Sequence, residues 1–143
     1  VREMRRVLVP GGTVTAYVWD YREGMQMLRY FWDAASLEDP AAAELDEGRR
    51  FPICQPDALE ACFTDSLIDV TVASIEVPTT FTDFDDYWAP FLGGQGPAPG
   101  YCRGLSVEAL ERLRRRLLAT LPAQPDGSLR LSARAWVVRG TAS

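Results

Sequence analysis

Apolar residues at Val1, Met4, Val7 and Leu8 recur at helical spacing, with Arg2, Glu3, Arg5 and Arg6 filling the other side, so the chain opens on an amphipathic helix. Pro10 cannot continue that helix, and Gly11-Gly12 provide the backbone freedom to reverse the chain. The next seven residues, TVTAYVW, alternate: Val14, Ala16 and Val18 share one face, Thr13, Thr15, Tyr17 and Trp19 the other. Apolar or aromatic groups on both faces predict a strand covered on both sides. Met25, Leu28, Phe31, Trp32 and Ala35 then mark a helix from about residue 23 to 36. The stretch LEDPAAAELDEGRRFP is polar and punctuated, which predicts a loop with at most a turn of helix.

Pro56 suits the first turn of a helix, and Leu59, Cys62 and Phe63 supply its buried face. A strand over 70–77 follows. Asp83 caps a short helix bearing Phe84, Tyr87, Trp88 and Phe91, ahead of a GGQGPAPG loop at 93–100. Ser106 caps the clearest helix, with Leu110, Leu113, Leu117 and Leu121 on one side and the i,i+4 pairs Glu108–Arg112 and Glu111–Arg115 exposed. PDG at 125–127 is a turn, and Leu129, Leu131, Ala133, Ala135 and Val137 alternate as a last strand. Three strands separated by helices make an α/β chain.

Composition narrows the function classes. One core fits 143 residues, and the formal charge of −5 with no basic stripe argues against a nucleic-acid partner. No run approaches the roughly 20 apolar residues of a membrane span, and no signal peptide opens the chain. Cys54, Cys62 and Cys102 are scattered and His is absent, so neither a disulfide framework nor a metal site is expected; free thiols fit a cytoplasmic protein.

Four segments carry a family resemblance. REMRRVLVPGGTVTAYVWD resembles the helix and fifth strand of class I S-adenosylmethionine-dependent methyltransferases, and PDALEACFTDSLIDVTVASIEVP resembles their following helix and sixth strand. DFDDYWAPFLGGQGPAP and GSLRLSARAWVVRG are similar to the lid-like insertion and seventh strand of a subgroup acting on small molecules. Ser66 departs from the pattern, which places a Gly turn before the sixth strand. The resemblance implies a Rossmann-like sheet ordered 3-2-1-4-5-7-6, of which residues 1–143 hold a three-stranded mixed sheet, 5-7-6, with the last strand antiparallel. It also implies that the chain is one partial domain whose N-terminal, cofactor-binding half is elsewhere. No cofactor-binding residue is therefore expected here, although the parent enzyme would use S-adenosylmethionine. PGG at 10–12 and GGQG at 93–96 do not follow a strand and open a helix, as a cofactor cradle requires.

Candidate chemistry follows from the rule that open α/β sheets bind ligands beyond the carboxyl ends of their strands. That points to Trp19, Asp20 and Tyr21: Asp20 to orient or deprotonate a methyl acceptor, against the plainer role of a loop acid, and Trp19 and Tyr21 to line the acceptor pocket. Phe84, Tyr87, Trp88 and Phe91, with Tyr101 across the Gly/Pro loop, are the second candidate wall, against the commoner role of helically spaced aromatics as core. Arg114-Arg115-Arg116 lie opposite a leucine stripe and are expected to be a solvated face. A different class of function is an interaction module: the free edge of strand 13–19 is a template for a homodimer or for the missing half. A split enzyme completed by a separate polypeptide is the third possibility.

Overall fold

The computed structural model describes residues 1–143 as seven helices around a three-stranded sheet. In chain order these are α1 (Arg2–Arg6), β1 (Thr13–Trp19), α2 (Gln26–Glu38), a 3-10 turn (Pro40–Glu44), α3 (Glu47–Arg50), α4 (Pro56–Thr64), β2 (Ile68–Phe81), α5 (Phe84–Gly93), α6 (Pro97–Gly104), α7 (Val107–Thr120) and β3 (Leu129–Thr141). No helix is long and apolar enough to cross a membrane.

The sheet order is β1-β3-β2, as expected for the three strands, but the sheet is antiparallel throughout rather than mixed. β1 and β2 run the same way without touching, because β3 lies between them and pairs antiparallel with each. β2 extends four residues beyond the expected end at Val77, through Pro78 to Phe81, which an edge strand tolerates because the missing N–H can face outward. The register shifts between Ile68 and Thr71, where Asp69 takes a positive φ of 52°. The left-handed residue therefore falls at Asp69 and not at Ser66.

Period-two alternation divides the sheet into two unlike faces. On one, Val14, Ala16, Val18, Val70, Val72 and Val138 pack against Leu59, Phe63 and Leu67 from α4 and its exit, with Leu8 closing the edge. On the other, only the end carrying Leu129, Leu131 and Phe81 is covered, by the helical cluster of Phe31, Trp32, Tyr87, Phe91, Leu113 and Leu117. Its remaining half is bare: Tyr17 is 76% exposed and Ile75 53%. The expectation that β1 is covered on both faces is thus corrected.

Local chemistry explains most element boundaries. Asp83 and Ser106 accept hydrogen bonds from the backbone N–H of Asp86 and Ala109, and Pro56 occupies the first turn of α4. Gly127 turns into β3 at φ 85°. The 93–100 segment is not a loop throughout: Gly96, at φ 106°, starts α6, whose Ala98, Pro99 and Cys102 are buried. Prolines at 97 and 99 fall in the first turn, where no intrahelical N–H is needed, so they permit the helix that their composition seems to forbid.

Candidate functional site

The turn leaving β1 is built around Asp20, whose side chain is 2% exposed. Its Oδ2 accepts from Arg134 Nε at 2.8 Å and lies 2.7 Å from a terminal guanidinium nitrogen, so one oxygen takes both nitrogens. Its Oδ1 accepts from the Glu23 backbone N–H at 3.1 Å and from Gln55 Nε2 at 3.4 Å, while its carbonyl accepts from Gly24 and Met25. Arg134 in turn lies over the Trp136 ring, 5.0 Å from its centroid, and near Glu23 and Glu76. Gly24 has no room for a side chain: a Cβ there would come within 2.5 Å of Arg134 Cβ. Asp20 therefore staples the β1 turn to β3, and acting as a base would require release of Arg134.

The three neighbours Trp19, Asp20 and Tyr21 are not brought together. Trp19 is on the bare face, where with Tyr17, Ile75, Val77 and Ala135 it lines a shallow apolar hollow of about 200 Å³. Asp20 turns to the opposite face with Arg134. Tyr21 is half-buried near Phe51, ring centroids 6.1 Å apart, and burial, reinforced by Glu47 and Cys54, pushes its phenol up from the ordinary tyrosine range.

Tyr87, Trp88 and Phe91 are core rather than pocket wall. Phe91 stacks on Phe31 at 4.4 Å, Tyr87 meets Phe81 edge-on at 5.4 Å, and all three are under 5% exposed. The Tyr87 hydroxyl donates to the Met27 carbonyl at 2.9 Å, and burial raises its pKa strongly, so it is a neutral hydrogen-bond donor. Tyr101 is half-buried at the margin of the same cluster, its phenol raised by burial and by Asp39.

The largest cavity, about 1040 Å³, opens instead between α2 and the start of α4, beside the β1 turn. Arg29 on α2 faces Asp46, which also caps α3 through the Gly48 N–H. Nearby, Trp32 Nε1 donates to buried Glu47 at 2.6 Å, tying α3 to α2. Arg22, Arg49, Asp33, Asp57, Ser36 and Gln55 make up the rest of its polar lining, and Leu37 and Ala58 are apolar. None of these arginines stood out in the sequence, because arginines scattered over a turn and two helices carry no common spacing. Arg134 left a weak one, a charge amid the apolar alternation of β3.

The arginine run on α7 is only partly solvated. Arg114 pairs with Asp85 at 3.0 Å over the Phe84 ring, and Arg112 and Arg116 both reach Glu38 on α2. No family model matches the chain, and no curated protein matches it.

Proposed function

We propose that the chain is the C-terminal portion of a class I S-adenosylmethionine-dependent methyltransferase, supplying acceptor-side elements to an enzyme that methylates a small molecule in the cytoplasm. The observation that supports this reading is the sheet: an antiparallel last strand lies between two strands that run the same way, an order compatible with the 5-7-6 segment that the resemblance implies. The free outer edge of β1 is where a fourth strand would pair, and the bare half-face is where further helices would pack.

The residues present do not fit the methyl donor itself. β1 is followed by Asp20–Gly24, with one glycine that is wedged against Arg134, while Gly93 ends α5 and Gly94 and Gly96 lie between α5 and α6 rather than after a strand. A dinucleotide-type cradle needs a glycine-rich turn from strand into helix. This chain is therefore assigned the acceptor side alone, and the isolated polypeptide is expected to transfer no methyl group.

Calorimetry with S-adenosylmethionine tests the assignment, using this chain and the polypeptide extended by its upstream reading frame. Saturable heat from the extended protein only is the expected result. Saturable uptake by residues 1–143 unaided, or no uptake by an extended protein, would sink it. A second reading, an interaction module that self-associates, is favoured by the exposed Tyr17, Trp19, Ile75 and Val77 beside the free β1 edge. Sedimentation of the isolated chain decides whether that surface associates.

A further inference from the structure

We propose that the cleft between α2 and the start of α4 binds the anionic group, a carboxylate or a phosphate, of a small polar ligand. The inference deepens the methyl-transfer reading, in which that ligand is the acceptor. Arg22, Arg29 and Arg49 all line this one cavity. Arg22 and Arg49 are exposed and form none of the chain's ion pairs.

Arg29 is different, because its side chain is 18% exposed and held on Asp46 through one terminal nitrogen. Its Nε is buried without a partner, one of only two such side-chain atoms in the chain. An unpaired buried donor costs stability, and with one terminal nitrogen on Asp46 the other is left to donate to an oxygen of an anion in the cleft.

The wall opposite adds a second donor. No side chain caps the first turn of α4, because the Gln55 amide is turned toward the Cys54 carbonyl and Asp20. Ala58, in that turn, lines the cleft. Uncapped N–H groups favour an anion. Asp46 is committed to Arg29 and Gly48, whereas Asp33 and Asp57 are exposed in the lining and select against a polyanion. With few apolar side chains in the lining, the site suits a compact ligand of low charge.

NMR titration of the whole chain with inorganic phosphate and with acetate, at fixed ionic strength, tests this. Saturable shifts are expected in the Nε–Hε signals of Arg22, Arg29 and Arg49 and in the Ala58 amide. Saturation by phosphate alone identifies a phosphorylated ligand, and saturation by acetate alone a carboxylate; either supports the site. The double variant R22A/R49A should keep its circular dichroism yet weaken binding about tenfold or more, whereas R139A, an exposed arginine on β3, should bind as the parent does. Shifts that drift without saturating, or equal affinity in R22A/R49A, overturn the proposal. Saturable binding together with failure of an extended protein to take the methyl donor would leave the anion site standing and remove only its reading as an acceptor site.

Discussion

At the residue scale, burial turns a charge pair into a stability question. Asp20 is almost fully buried and Arg134 is its only cationic partner. Arg134→Met keeps an unbranched side chain of similar length but leaves a buried carboxylate without a countercharge. Urea unfolding should therefore show a loss of about 3 kcal/mol, the low end for breaking one side of a buried pair, since Glu23 N–H still donates to Asp20. An unchanged midpoint would mean that the pair is solvated. The thiols respond to burial in a second way. Cys62 is exposed, whereas burial pushes the Cys102 thiol up to about 11 and raises that of Cys54. An aromatic disulfide reagent at neutral pH should titrate Cys62 quickly and the other two only as the chain unfolds. Equal rates at all three in folded protein would contradict the packing of α6 and of the 51–55 turn.

At the scale of elements, α7 and α2 share the buried apolar cluster and are joined at its margin by Glu38, one-fifth exposed, between Arg116 and Arg112. The Arg116 hydrogen bond holds its carboxyl below the ordinary value of 4.5. A depressed folded value means that the contribution is present above about pH 4.5, the unfolded value, and is lost as pH falls through the lower, folded one. Glu38→Gln should therefore lower the thermal midpoint at neutral pH, with the difference from the parent vanishing in acid; a gap that persists in acid would refute the clamp. The sequence shows why such links escape it. Capping residues such as Asp83 and Ser106 act over three positions, so they were legible, as were Pro56 and the leucine stripe of α7. Glu38 and Arg116 are partners only after folding; of the exposed i,i+4 pairs expected, Glu108–Arg112 yields to this longer-range contact, whereas Arg115 donates to the backbone carbonyl of Glu111. In the same way α6 was hidden, since Pro and Gly signal a turn unless their place within the first helical turn is known.

For the whole molecule, alternation made the strands legible but not what covers them. Val14, Ala16 and Val18 were read correctly as one face, whereas Tyr17 and Trp19 looked equally buried because aromatic residues mark either a core or a contact surface. Topology decides: α4 packs on the first face, and the helical cluster reaches only the Leu129 end of the second. The bare half gathers Tyr17, Trp19, Ile75 and Val77 into one exposed apolar patch. Covering one such side chain is worth about 1.5–3 kcal/mol, against about 1 kcal/mol net for each hydrogen bond gained at the β1 edge. Association of the isolated chain should accordingly be driven by the face more than by the edge. The variant Tyr17→Lys with Ile75→Lys changes two exposed positions and no backbone group. It should reduce concentration-dependent association in sedimentation while shifting unfolding free energy by no more than about 0.5 kcal/mol per site, the usual effect of surface changes. Association undiminished in that variant would assign the contact to strand pairing along β1. A large loss of stability would instead show that Tyr17 and Ile75 pack within the protomer, and the bare face itself would have to be abandoned.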